Sequence, residues 1–162
     1  MYCNYQEQTT QTVANLIASL LKQFVQNSRT VSDNTRSFYD RHRGQRTYPT
    51  LDEFIKALEV EIKSYTQVFI VVDALDECSE VNGTRMKLIR VLRSLPRSVN
   101  LMVTSRDLAS IKQEFLDAGR LRIRAHDEDI TKYVENQLGG YSDLTKLRAD
   151  ITKIIIDKAR GM

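Results

Sequence analysis

An α/β fold, a parallel sheet with helices covering both of its faces, is the class this sequence predicts, on three observations. Two short apolar runs rich in β-branched residues, Val68–Val72 and Val99–Thr104, read as strands buried on both sides. The stretches around them place apolar residues at three- and four-residue steps over ten residues or more, which is helical spacing, so strand alternates with helix as in parallel βαβ units. With only 6 Gly and 2 Pro in 162 residues, the chain has too few turn formers for a turn-dense all-β sandwich.

Taken in order, Val13, Leu16, Ile17, Leu20, Leu21, Phe24 and Val25 form a wide apolar stripe on a first long helix, with Thr9 or Thr10 as its cap. A looser helical stretch around Val31, Thr35, Phe38 and Tyr39 runs into a polar, Arg-rich segment, Arg41 to Thr47. Thr50-Leu51-Asp52-Glu53 after Pro49 is a capping-box pattern, and Leu51, Phe54, Ile55, Leu58, Ile62 and Tyr65 line one face of the helix it opens. Between the two strands, Leu88, Ile89, Val91, Leu92 and Leu95 mark a crossover helix stopped near Pro96. Ile111, Phe115 and Leu116 mark another helix, for which Asp107 is the expected cap, and Leu121–Ala125 is a further short strand. Two helices close the chain, one through Ile130, Tyr133, Val134 and Leu138 to Gly139-Gly140, the other through Leu144, Leu147, Ile151, Ile154 and Ile155 to Gly161.

Composition excludes several classes. Hydrophobic residues at 41% and charged residues at 28% are globular values. The formal charge of +3 is spread along the chain and the seven tyrosines are dispersed, so neither a basic face nor a stacking platform for nucleic acid is visible. No apolar run approaches the ~20 residues that span a bilayer. The two cysteines, Cys3 and Cys78, make no disulfide framework and no metal spacing; reduced thiols in a cytoplasmic protein are the simpler reading.

The chemistry concentrates at the two strand ends. Ligands of open parallel sheets sit outside the carboxyl ends of the strands. The first strand ends there in Asp73-Ala74-Leu75-Asp76-Glu77, three acids within one turn. Crowded carboxylates repel and raise one another's pKa, so such a cluster suits a hard cation such as Mg²⁺ bridging to phosphates. The competing reading makes Asp73 a turn cap and leaves Asp76 and Glu77 solvated. The second strand ends in Thr104-Ser105-Arg106-Asp107, where hydroxyls and a planar guanidinium suit phosphate oxygens; alternatively Thr104 and Ser105 cap the next helix and Arg106 pairs with an acid.

Asp73-Ala74-Leu75-Asp76-Glu77 after a hydrophobic strand resembles the Walker B motif of NACHT-type P-loop NTPases, and Leu101 to Arg106 resembles their sensor-one strand. Tyr2-Cys3-Asn4-Tyr5 followed by Thr12 to Leu21 is similar to the strand and helix that follow their phosphate loop, and Lys158-Ala159-Arg160-Gly161-Met162 to their Lys-Ala-x-Gly-Met stretch. The likeness is strongest to the nephrocystin-like NACHT proteins of filamentous fungi, signal-transduction (STAND) NTPases related to the animal NOD-like receptors. It implies a three-layer parallel sheet of the P-loop NTPase type, incomplete, with a partial NTPase core over residues 1–140 and the start of a following helical region over 141–162.

The phosphate-loop pattern Gly-x-x-x-x-Gly-Lys-Ser/Thr does not occur, and no glycine of the chain is followed by Lys. The resemblance therefore implies a piece that begins just after that loop and lacks its strand. A sheet of about four strands follows, in which Val99–Thr104 either exposes an edge or pairs with Leu121–Ala125. By the same resemblance Asp73 would hold Mg²⁺ through water and Asp76 would orient or deprotonate the attacking water, with Glu77 as substitute. Arg106, assisted by Thr104 or Ser105, would sense the terminal phosphate of ATP or GTP. The expected function is the partial core of a nucleotide-driven signalling switch, inactive as the isolated chain and binding neither Mg²⁺ nor nucleotide tightly alone. Two other readings stand: a non-catalytic module that self-associates or binds intact NACHT homologues, and a Mg²⁺-dependent phosphatase or nuclease using the three acids.

Overall fold

The computed structural model describes residues 1–28, 31–124, 126–139, 144 and 147–159. They form two compact units, Met1–Leu116 and Asp117–Met162.

In the first unit, helix α1 (Val13–Asn27) starts at Thr12, whose hydroxyl accepts the Asn15 N–H at 3.2 Å. Thr9 and Thr10, the caps expected from the sequence, belong instead to the turn that follows a short 3-10 segment at Tyr5–Glu7. Helix α2 (Asp33–Gln45) is capped by the Ser32 hydroxyl and runs on through much of the Arg-rich stretch, ending at Arg46 with φ 51°. Helix α3 (Leu51–Ile62) opens with both halves of the capping box between Thr50 and Glu53. The Thr50 backbone and hydroxyl donors hold the Glu53 carboxyl below its ordinary value. Glu61 of α3 is buried and accepts the hydroxyls of both Ser32 and Thr35, so it ties the start of α2 to α3.

Strands β1 (Val68–Val72) and β2 (Val99–Val103) pair in parallel, Val68 opposite Val99 through Val72 opposite Val103. Helix α4 (Thr84–Ser94) is the crossover between them. Helix α5 (Ala109–Glu114) starts at Leu108 without a side-chain cap; Asp107 forms an ion pair with Lys112 instead of capping. A single parallel bridge joins Tyr2 to Asp73 on the far side of β1.

One core holds the unit together. Val68, Ile70 and Val72 of β1 pack with Leu16, Ile17 and Leu20 of α1, Leu58 and Ile62 of α3, and Leu88, Ile89 and Leu92 of α4. Side chains alternate across a strand, so the odd-numbered residues point the other way. Phe69 is 71% exposed, and Val71 and Met102 are exposed beside it.

These observations overturn the three-layer P-loop NTPase sheet. The described residues contain a two-stranded sheet, not about four strands, and its apolar side chains enter the core on one face only. The five-residue apolar run of β1 reads as a strand buried on both sides, yet only its alternate residues reach helices. The expected strand at Leu121–Ala125 does not form over its described residues: 121–124 join no ladder, and Leu121 and Ile123 are 86% and 80% exposed. Ala125 itself lies outside the described residues. Alternating Arg residues give that stretch strand-like periodicity, but without a face to bury the pattern stabilises nothing.

The second unit contains helices α6 (Asp127–Leu138) and α7 (Arg148–Ala159), which pack on each other. Val134 is buried there, and the Arg148 guanidinium donates to the Leu138 carbonyl at 3.0 Å. The expected helix ends at Gly140 and Gly161, and Arg160 to Met162 of the Lys-Ala-x-Gly-Met likeness, lie outside the described residues. No described helix is long and apolar enough to cross a membrane.

Candidate functional site

The carboxyl ends of β1 and β2 are adjacent, because the strands are parallel and in register, so the segments leaving them meet. At the junction the Thr104 N–H donates to the Val72 carbonyl and the Leu75 N–H to the Thr104 carbonyl, each at 2.9 Å. The Ala74 N–H donates to Thr104 Oγ1 at 2.9 Å, and that hydroxyl donates in turn to Asp73 Oδ1. Ala74 has φ 54°, a left-handed conformation that costs a non-glycine residue roughly 1 kcal/mol. The two bonds from Ala74 and Leu75 to Thr104 fix that turn, which starts the 3-10 segment Leu75–Glu77.

Asp76 is held by the neighbouring strand end. Its Oδ1 accepts the Arg106 N–H at 3.0 Å, and its Oδ2 accepts Arg106 Nε at 2.6 Å. The Asp76 side chain is 7% exposed and that of Arg106 77%. Burial pushes the Asp76 carboxyl up, but the Arg106 backbone and side-chain donors outweigh it and hold the group below its ordinary value. Glu77 turns toward the N-terminal segment, where its Oε2 accepts the Tyr5 N–H at 3.2 Å, and Gln8 donates to its backbone carbonyl at 2.9 Å. The Glu77 carboxylate, with smaller contributions from burial and Asp73, raises the pKa of the exposed Tyr2 phenol.

The structure therefore brings together Asp73, Asp76, Thr104 and Arg106. Ser105 is turned away, its hydroxyl donating to the Arg106 carbonyl at 2.9 Å. Among the described residues no three His, Cys, Asp or Glu side chains converge as a metal-binding group. Each acid is instead engaged separately: Asp73 by Thr104, Asp76 by Arg106, Glu77 by Tyr5.

Two contributors escape a sequence reading. Arg85, near the start of α4, is buried and reaches back to the acid loop. It donates to the Asp76 carbonyl at 2.6 Å and to the Cys78 carbonyl at 2.9 and 3.1 Å, and pairs with Glu80. It thereby satisfies carbonyls that a tight turn leaves without partners. Nothing in its local pattern marks it, since an Arg in the first turn of an amphipathic helix is ordinarily a surface residue. The second contributor is the thiol pair. Cys3 and Cys78 are both free and buried. The Cys78 thiol and then burial push the Cys3 thiol up. The Cys3 thiol lowers Cys78 against burial, with Arg85 assisting.

The first unit is thus a parallel β–α–β unit whose two strand ends set Asp73 against Thr104 and Asp76 against Arg106. The sequence profile of the family described as Nephrocystin 3, N-terminal, matches residues 1–106, and the chain belongs to that family. The match covers both strand ends and stops at Arg106. No curated protein and no solved structure gives a significant match.

Proposed function

We propose that this chain carries the cation-and-sensor half of the nucleotide site of a NACHT-type STAND signalling NTPase, and that alone it is inactive. The observation that carries this reading is the pair of contacts Asp73–Thr104 and Asp76–Arg106, which ties the acid loop to the Thr-Ser-Arg end at one sheet edge.

The residues fit part of what such a site needs. Asp73 is exposed, and its second carboxylate oxygen carries no bond among the described residues. One carboxylate beside a hydroxyl suits Mg²⁺, which keeps several waters and takes further ligands from phosphates. Bound there, the ion would supply neutralisation of phosphate charge. Asp73 would hold it through water, Thr104 would fix the Asp73 rotamer, and Arg106 would meet the terminal phosphate. Asp76, with both oxygens accepting N–H bonds and its basicity lowered, is a poor proton acceptor while Arg106 grips it. Its role as base requires the guanidinium to leave for a phosphate, and that of Glu77 in its place requires Glu77 to leave the Tyr5 N–H. Ser105 assists only after its hydroxyl leaves the Arg106 carbonyl. The phosphate-cradling N–H groups and Lys are not in this sequence. They supply most nucleotide affinity, so ATP or GTP binds tightly only where another segment provides them.

The test is titration of ATP and GTP with Mg²⁺ into the 162-residue chain and into a longer chain carrying a Gly-Lys-Thr loop ahead of Met1. Micromolar binding and hydrolysis by the longer chain, lost on Asp73→Asn, is the expected result; unchanged hydrolysis in that variant removes Asp73 from the cation site. A second reading, a non-catalytic interaction module, is favoured by the exposed apolar face at Phe69, Val71 and Met102. Failure of both chains to bind nucleotide selects it.

A further inference from the structure

Cys3 and Cys78 are nucleophilic side chains that the nucleotide site leaves unused, and the fold brings together the two segments that carry them. The Cys3 N–H donates to the Asp73 carbonyl at 3.0 Å. Two residues on, the Tyr5 N–H donates to Glu77 Oε2 at 3.2 Å, and the Gln8 amide donates to the Glu77 carbonyl at 2.9 Å. On the other side, the 3-10 segment Leu75–Glu77 turns the chain back, and the Cys78 N–H closes that turn on the Leu75 carbonyl at 3.1 Å. Contacts on both sides of Cys3 therefore run to the loop that Cys78 closes.

Both side chains enter one core. Cys3 is 0% exposed and Cys78 1%, in the same cluster as Val72 and Leu75. Each thiol is the strongest influence on the ionisation of the other, as adjacent sulfurs in apolar surroundings are. Among the described residues no group of three His, Cys, Asp or Glu side chains is placed to hold a metal ion, so the pair offers two-thiol chemistry. Burial also selects the partner. A covered thiol cannot meet a thiol of another chain while the fold persists, whereas its neighbour is already in place.

We propose that Cys3 and Cys78 form a reversible disulfide within the chain under oxidising conditions, and that this bond clamps the acid loop. The oxidant is a small disulfide such as glutathione disulfide. One cysteine thiolate attacks a sulfur of it, breaks its S–S bond and releases one glutathione thiolate; the second cysteine then attacks the protein sulfur of the mixed disulfide and releases the other. The protein thiols give up two protons and two electrons, and glutathione disulfide takes up both to become two thiols. Closing so long a stretch of chain favours the folded state, because it removes much of the freedom of the unfolded one. Cys78 directly follows Glu77, and its carbonyl accepts two bonds from Arg85, so a covalent tie there restrains the loop that holds Asp76 and Glu77. The inference concerns the redox state of the loop and does not depend on nucleotide.

The experiment equilibrates the whole 162-residue chain in glutathione buffers of graded thiol-to-disulfide ratio, once folded and once in denaturing urea. Free thiols are then blocked and the products read by peptide mass spectrometry. A linked Cys3–Cys78 peptide pair is expected. Its equilibrium constant for closure should be at least about tenfold larger in the folded chain than in urea, equivalent to a reduction potential about 30 mV lower. The Glu77 and Cys78 amides, which donate within the turn, should exchange at least about tenfold more slowly in the oxidised chain than in the reduced one. A folded-state constant equal to or below the urea value overturns the proposal, as do glutathione adducts or interchain dimers as the main products of the folded chain. Unchanged exchange at Glu77 and Cys78 overturns the clamp.

Discussion

The hydroxyl of Thr104 donates to the Asp73 carboxylate while accepting the Ala74 N–H at 2.9 Å, so one side chain on the second strand sets both the rotamer of the first acid and the turn that follows it. Residues 31 positions apart in sequence are joined because the β1–β2 register places both strand ends at one edge.

Replacing Thr104 with Val keeps the shape and removes both bonds. The Ala74 N–H is then left without its acceptor in a strained turn. The expected loss is about 1–2 kcal/mol of stability, measured by urea denaturation. Thr104→Ser retains the hydroxyl and is expected to recover most of it. Equal stability of Thr104→Val and the parent would show that the hydroxyl fixes nothing.

Arg85 holds the acid loop from below. Arg85→Met keeps much of its volume but leaves the Asp76 and Cys78 carbonyls and Glu80 without their donor. Stability is expected to fall by about 3 kcal/mol, with chemical-shift changes concentrated at residues 75–80. A loss within the ordinary surface range, about 0.5 kcal/mol, would refute a structural role for this side chain.

The Asp76–Arg106 pair carries a pH signature. The folded-state pKa of Asp76 lies below its ordinary value of 3.8, so its contribution is complete above that value and disappears as pH falls through the lower folded-state value. Arg106→Ala is expected to cost about 1 kcal/mol at pH 7, a small figure because the guanidinium is solvent-screened. The difference between variant and parent should shrink as pH is lowered below 3.8. Glu53, also held low, titrates alike in both proteins and cancels. A difference independent of pH would mean that the ion pair is not its source.

Much of this was legible in the residues. The β-branched runs gave β1 and β2 nearly to the residue, and the Thr50–Glu53 pattern gave the start of α3, because both signals are local. The single-faced sheet was not legible. Phe69 and Val71 are as apolar as Val68 and Ile70, and only the positions of the helices decide which pair is covered. The exposed 121–124 segment misled for the same reason: periodicity reports a possible strand, whereas a partner to pair with makes one. At the site, Asp73, Asp76, Thr104 and Arg106 were visible as strand-end residues. Arg85 and the buried Glu61 were not, since charged residues on helices are ordinarily solvated. Their roles depend on backbone carbonyls and hydroxyls that only the fold brings near.

Whether the two strand ends make one cation–phosphate site is tested most directly by Mn²⁺ in place of Mg²⁺, added with ATP to the longer chain bearing a phosphate loop, with paramagnetic broadening read residue by residue. Asp73, Ala74 and Thr104 are expected to broaden first, and Asp73→Asn to abolish the effect. Broadening centred on other residues, or undiminished in Asp73→Asn, would place the cation elsewhere and contradict the proposed site.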